Sequence, residues 1–289
     1  MTTHDIGYHL GAIKPNEKYA SFLRNKKVAI VGPSKHILLQ KNGSKIDDYD
    51  VVIRLKWLPV KGHNQFKDYI GDKTDVIYSS TMNNNKDFDF LAHNGVAHWC
   101  HPNNTAKNIE IYSKTLNFGS NTIQIHNYSG NPASIMLEEY SSKTDRSFYK
   151  LKIENVSNQV TRKIIGVWPQ VGFQAILDAI ASGCNELYIT GITSYHGGGH
   201  MLQKNKPAHH NKPIVDKHDG VLETLVLLDL IDHTEQEQST KIILDPVLQL
   251  ITSEYRDFCS GLDKNFIGMR FSEKTDEITL KVENLVKDL

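Results

Sequence analysis

A histidine just ahead of an amphipathic helix can act as a general base near neutral pH. His218 holds that position in the segment HDGVLETLVLLDLI. The helix macrodipole disfavours a charged imidazolium there, which keeps the ring neutral and basic. Glu223, in the first turn of the same helix, is better placed to organise the helix end than to transfer a proton. Far upstream, KVAIVGPSKH reads as a strand running into a loop. Gly32 lets a backbone come close to a ligand, Ser34 adds a hydroxyl, and the loop amides suit a phosphate. Gly32 has no partner glycines and no Gly-Lys-Ser follows. The loop is therefore neither a dinucleotide fingerprint nor a Walker loop.

Two other groups of residues invite a metal reading. Asp87 and Asp89 form an Asp-x-Asp pair in a polar Asn- and Lys-containing stretch. His196, His200, His209 and His210 crowd one loop, but no His-x3-His helix or Glu-bearing signature organises them. Those histidines suit phosphate and acceptor contacts better than zinc, and no metal site is expected at either place.

The elements that must position these residues follow from pattern. Strands are expected at Lys27–Gly32, at VVIRL from Val51, at DVIYSS from Asp75 and at GVAHWCH from Gly95. Residues 102–160 are rich in Asn, Ser, Thr and Tyr, with strand candidates at Thr122–His126 and Phe148–Ile153. They read as an inserted lobe laid against the main sheet. Phe173, Ile176, Leu177 and Ile180 recur at i, i+3, i+4 and i+7, one face of a helix that Gly183 ends. The strand ELYITGI follows. Residues 194–217 form a polar loop longer than a plain connection needs, which reads as a lid or binding loop. The next helix carries Val221, Leu222, Leu225, Val226 and Leu228 on its apolar face, and KIILD is a last strand. Alternating strands and helices predict one α/β domain over residues 1–289, a Rossmann-like, mostly parallel sheet flanked by helices.

Composition narrows the partners. Lys plus Arg number 33 and Asp plus Glu also 33, so no general attraction to nucleic acid is indicated. The first residues lack the basic flank and apolar run of a signal peptide. No run approaches the roughly 18 apolar residues of a membrane span, although peripheral membrane association stays open. Three widely spaced cysteines, Cys100, Cys184 and Cys259, suit a reducing compartment, with cytosol the default.

Read at length, three segments resemble the eukaryotic-type sialyltransferase family. KVAIVGPSKHILLQKNGSKIDDYDVVIRLKWLPVKG, continuing to YIGDKTDVIY, is similar to its long motif. WPQVGFQAILDAIASGCNELYITGI is similar to its short motif, and His218 with Glu223 matches the very short His-x4-Glu motif. The order is the family's order, and together the segments span about a third of the chain. His200, eighteen residues before His218, is the best positional match to the remaining motif histidine, with His209 and His210 as rivals.

The resemblance implies the GT-A-like variant of the Rossmann-like fold. It also implies inverting transfer of a 2-keto sugar acid from its CMP ester to a hydroxyl on a glycan or glycolipid. His218 would be the base, and no metal or other cofactor would be needed beyond the CMP-sugar substrate. Gly32, Pro33, Ser34, Lys56, Gln170, Val171, Gly172, Gly191, Ile192 and Thr193 would lie around the donor, with His200 on its phosphate. This chain departs from the family at Pro33 and Lys56, where asparagines would contact the nucleotide, and at Gln170 and Val171. The donor therefore stays open between sialic acid, Kdn and Kdo. A non-catalytic CMP-binding protein and a histidine-site metal hydrolase are the alternatives from other classes. Cys184 matches the short-motif cysteine, but Val28 stands where its disulfide partner would be, in keeping with a disulfide-free protein.

Overall fold

The structure, a computed structural model, describes residues 10–11, 15, 17–55, 63–78, 96–101, 116–118, 121–127, 169–197, 199–201, 214–215, 218–261 and 267–289. Its centre is a sheet of eight strands: β1 (Lys27–Val31), β2 (Val51–Leu55), β3 (Val76–Tyr78), β4 (His98–His101), β5 (Leu116–Phe118), β6 (Asn121–Asn127), β7 (Glu186–Thr190) and β10 (Lys241–Leu244). The spatial order is β10-β7-β1-β2-β3-β4-β6-β5, and every neighbouring pair is parallel except β5 with β6. A short antiparallel pair, β8 (Ile214–Val215) with β9 (His218–Asp219), stands apart from it. Residues 116–127 thus add their strands to the edge of the main sheet, β6 lying beside β4. The strand candidate Phe148–Ile153 lies outside the described residues.

From β1 the chain builds outward in one direction as far as β6, then returns to add β7 and β10 on the other side of β1. The boundary between β1 and β7 is a topological switch point. There the loops leaving neighbouring strands part, and in open α/β sheets ligands bind in the crevice at the strands' carboxyl ends.

Both faces of β1, β2 and β7 are covered, which is why these strands read as continuous apolar runs. Side chains alternate along each strand. Val28, Ile30, Ile53, Val76 and Ile189 therefore share a core with α1 (Glu17–Leu23), α4 (Val171–Ala181) and α5 (Gly220–Gln236). Ala29, Val31, Val52 and Tyr188 face the opposite side, against Ile37, Ile46, Ile70 and Met201 near α2 (Gly43–Asp47) and α3 (Lys67–Ile70). A satellite core joins α5 to α6 (Pro246–Ser260) and α7 (Ile267–Val286) through Val221, Leu228, Ile251, Tyr255, Ile278 and Val282. Aspartates start two of these helices. Asp219 Oδ1 accepts the Leu222 N–H at 2.8 Å, and Asp245 Oδ1 accepts those of Val247 and Leu248 at 3.0 and 2.8 Å, with Pro246 in the first turn.

The periodicity of α4 marks one apolar face, yet every residue from Val171 to Ile180 is buried. The reason is tertiary: α4 is pressed between the sheet and neighbouring helices on more than one side. Asp178 is carried inside with it and accepts the Tyr78 hydroxyl at 2.7 Å. Burial pushes its carboxyl up to about 8, with the Tyr78 hydrogen bond opposing. Gly183 ends the helix at φ +73°, a left-handed turn suited to glycine.

The raised carboxyl sets a pH dependence. A group with its folded pKa above its unfolded value contributes stability that is full below the unfolded value, near 3.8 here, and fades as pH rises through about 8. Asp178→Asn keeps an acceptor for Tyr78 and cannot ionise. Its stability advantage over wild type should grow between about pH 4 and 8, reach the order of a few kcal/mol and then level off. Chemical denaturation across that range checks it; a constant difference would show that Asp178 is charged in the fold.

Candidate active site

The backbones leaving β1 and β7 touch. A Cβ on Gly32 would lie 2.2 Å from the Gly191 carbonyl oxygen, and one on Gly191 would lie 2.3 Å from that of Gly32. Gly191 also takes φ +71°, a conformation side chains resist. Glycine is thus required on both strands at the switch point. Just beyond the contact, Ser34 pairs with His200 in an isolated antiparallel bridge, and Met201 N donates to Pro33 O at 2.9 Å. Ile192 packs beside Gly172, whose added Cβ would stand 3.0 Å from Leu55 and 3.2 Å from Ile192. The tertiary structure therefore gathers Gly32–Ser34, Gly172, Gly191–Thr193 and His200 at one end of the sheet.

His218 joins them through its neighbours. Its ring stacks on Tyr195, centroids 6.1 Å apart and planes at 28°. Tyr195 is reached from Thr193 through two left-handed residues, Ser194 at φ 47° and Tyr195 itself at φ 64°. Backbone of this kind persists only where surrounding contacts hold it. Burial, with the Glu223 charge adding, raises the Tyr195 phenol above its ordinary value, so it keeps its proton at neutral pH. Glu223 is buried, and its Oε1 accepts the Gln170 N–H at 2.6 Å. That bond ties the start of α5 to the turn that starts α4.

Phosphate binding by the β1 loop amides does not hold. Gly32 N donates to Thr190 O at 2.8 Å, Ser34 N to Gly191 O at 2.9 Å and Lys35 N to Gly199 O at 3.1 Å, while Pro33 has no N–H. Backbone donors that the helix itself does not use lie at the start of α4. Gln174 N makes the first helical bond, to Gln170 O, and the Gln170 side chain does not cap this helix end. The N–H groups of Val171, Gly172 and Phe173 therefore have no partner within the helix. The Gln170 side-chain Nε2 is likewise buried with no hydrogen-bond partner among the described residues.

Much of the long motif builds the scaffold. Arg54, 1% exposed, reaches the Thr74 hydroxyl at 2.7 Å and the carbonyls of Lys73 and Ile70 at 2.8 and 2.9 Å. Asp47 accepts the N–H groups of Asp72 and Lys73, and Asp50 accepts that of Lys27. The motif's arginine and its Gly-x-Lys-Thr end are thus two halves of one clasp. Val28 and Cys184 lie in the same apolar cluster, where valine fills the place of a cystine partner, and burial pushes the Cys184 thiol up to about 12.

His196 is a correction. It is fully buried, its Nδ1–H donating to Thr193 O at 2.9 Å and its Nε2 accepting the Tyr255 hydroxyl at 2.7 Å. With both nitrogens engaged it anchors the loop base to α6 and cannot contact phosphate. Lys56, His209, His210, Asp87 and Asp89 lie outside the described residues. No group of three or more metal-ligating side chains occurs among the described residues. The sequence reading passed over three residues here: Tyr195, His36 and Asp245. His36 carried a faint signal, two positions after Ser34 in the same motif.

Gly191→Ala should cost roughly 3 kcal/mol, because backbone rather than a flexible side chain meets the new methyl. A thermal melt checks it, and an unchanged melting temperature would mean the two strand ends can part freely. His196 makes a separate contribution. Burial holds its ring down to about 4, against 6.5 unfolded, with backbone hydrogen bonds opposing. Its stability is present above about pH 6.5 and lost as pH falls through about 4. His196→Asn should remove that acid-sensitive part of a pH–stability profile; an unaltered profile would place the proton elsewhere.

The glycosyltransferase family 29 (sialyltransferase) model matches residues 11–234. A mammalian sialyltransferase crystallised with Gal-β-1-3GalNAc-ortho-nitrophenol is 16% identical, with 84% of this chain and 79% of that chain covered and a TM-score of 0.44. The Campylobacter jejuni sialyltransferase CstII in complex with cytidine-5'-monophosphate is 17% identical, with 76% and 80% covered and a TM-score of 0.42. No curated protein sequence matches. With the family model covering most of its length, from the first strand through the His218 helix, the chain belongs to glycosyltransferase family 29, the sialyltransferases, and is a CMP-sugar-dependent glycosyltransferase.

Proposed function

We propose that this enzyme moves a 2-keto sugar acid from its CMP ester to a glycan hydroxyl with inversion at the anomeric carbon. The observation that carries the reading is the convergence of His218, the start of α4 and the Gly32–Gly191 crossing at one end of the sheet. The Glu223–Gln170 bond brings the helix start that carries the base next to the start of α4, which supports a single displacement between base and anion site. His218 takes the proton of the acceptor hydroxyl as that oxygen bonds to the anomeric carbon. The bond from that carbon to the phosphate oxygen breaks on the opposite face, and CMP leaves with the electron pair.

The departing phosphate is held by the N–H groups of Val171, Gly172 and Phe173, supported by the helix dipole and by Gln170. Tyr195 fixes the plane of the His218 ring, and Glu223 keeps the two helix starts in register. His200 sits beside Ser34, where it adds a second contact to the nucleotide. Pro33 has neither the side-chain amide nor the N–H of the family's asparagine. The donor we infer is sialic acid or a relative, with Kdn and Kdo the alternatives. The acceptor we infer is a glycan or glycolipid hydroxyl. Three free cysteines support a reducing compartment, the cytosol.

Two measurements test the reading. CMP should raise the melting temperature selectively over CDP, UDP, GDP and NAD, with or without EDTA. Stabilisation by UDP or GDP only in the presence of metal would overturn it and direct attention to Asp87 and Asp89. His218→Ala should lower transfer by about 10²-fold or more while CMP affinity stays near wild type. Loss of both together would make His218 a structural residue.

A further inference from the structure

Helix α7 lies beyond residues 11–234, the span that the family model matches, yet it packs on the loop that carries Tyr195. Gly197 is a point of contact. It takes φ +83°, and a Cβ there would lie 2.8 Å from Glu283 Cγ and 3.1 Å from the Thr279 carbonyl oxygen. A line of polar groups ties the loop to α7 through α6. His196 Nε2 lies 2.7 Å from the Tyr255 hydroxyl on α6, and that hydroxyl lies 3.0 Å from Thr275 Oγ1 on α7. All three residues are buried. The His196 and Tyr255 rings also meet edge to face, with centroids 5.3 Å apart.

The direction of each hydrogen bond follows from the partners. His196 Nδ1 faces the Thr193 carbonyl at 2.9 Å, so it carries the hydrogen. Burial keeps the ring neutral, so Nε2 accepts and the Tyr255 O–H donates to it. That leaves the Tyr255 oxygen to accept from the Thr275 hydroxyl. Thr193 closes the turn from within, its Oγ1 donating to Gly197 O at 3.1 Å while His196 N donates to Thr193 O at 2.8 Å. Inside this turn stand the two left-handed residues, Ser194 and Tyr195. Such conformations are costly and persist only where the surroundings enforce them. Here α6 and α7 supply that enforcement.

We propose that Tyr255 and Thr275 are positioning residues for the transfer: through His196 they hold the 193–197 turn in the shape that sets the Tyr195 ring against His218. This deepens the transferase reading above and rests on it. The far end of the loop is held separately. Lys35 N donates to Gly199 O, Ser34 pairs with His200, and Met201 N donates to Pro33 O. Loss of the brace therefore frees the Tyr195 side and leaves the β1 side in place. The effect falls on the base and not on the hold of the donor. Helices α6 and α7 thus belong to the working unit, although the family match ends before either begins.

Two measurements on the full chain test the brace. The first reads the His218 ring resonances by NMR, assigned against His218→Ala, because a ring stacked on Tyr195 is shifted by the tyrosine ring current. Tyr255→Phe and Thr275→Val each remove one hydroxyl and keep the shape. Both should move the His218 resonances toward random-coil values, and Thr275→Ser should restore them. The second follows CMP release from CMP-sialic acid, CMP-Kdn and CMP-Kdo, each with lactose as acceptor. In the same two variants kcat should fall roughly three- to tenfold, with donor KM and calorimetric CMP affinity within about twofold of wild type. Melting curves confirm that the fold is kept, and Thr275→Val decides the case if Tyr255→Phe does not fold. Unmoved His218 resonances in folded variants would overturn the proposal. A loss of CMP affinity equal to the loss of kcat would overturn it too, since the turn would then serve the donor. Wild-type protein that releases CMP from none of the three donors would overturn the transferase reading, and this inference with it.

Discussion

The site depends on one steric constraint, the direct backbone contact between Gly32 and Gly191. At the switch point the chain leaving β1 and the chain leaving β7 must part, yet they begin closer together than any side chain allows. A carboxylate fixes the contact: Asp245 binds the Gly191 N–H, while Ser34 N donates to Gly191 O. Strand ends held in this way are fixed relative to one another. Every residue of the proposed mechanism is measured from that point, including the start of α4, which packs on Ile192 through Gly172.

Rigid support for this crevice comes from polar groups used for structure. The Arg54 clasp gathers the 70–74 turn under β2, and Asp47 and Asp50 receive backbone N–H groups from neighbouring segments. Such bonds are strong because a charge is involved, and those of Arg54 are also buried. A motif of some fifty residues can therefore carry a family signature while much of it serves the scaffold. The histidines of the 194–217 loop divide in the same way. His196 is consumed in holding the loop base to Tyr255, whereas His200, four residues on, sits beside Ser34.

Electrostatic supply at the two sides of the crevice is opposite in kind. The β1 loop has committed its N–H groups to carbonyls of the β7 side, and the Gln170 side chain does not cap α4. A helix start is a favourable place for an anion, because its first N–H groups are not used within the helix. Glu223 takes the Gln170 N–H, just ahead of the helix. The carboxylate keeps the turn ordered from one residue before the helix.

Local chemistry made much of this legible in the chain itself. Apolar runs and periodicity marked the strands around Val28, Val51, Val76 and Leu187 and the helices at 171–181 and 220–236, because burial and repeat are local properties. Gly-Pro-Ser after a strand, and His218 before a helix with Glu223 in its first turn, were readable as site candidates for the same reason. Long-range contact decided the rest. Asp245 reads in sequence as a helix cap, and only folding brings it 209 positions back to His36. Whether the β1 loop amides were free, whether His196 was exposed, and which ring would stack on His218 were settled by what packed against them. Residue type determines what a group can do; the availability of its protons and lone pairs is decided by partners far away in the chain.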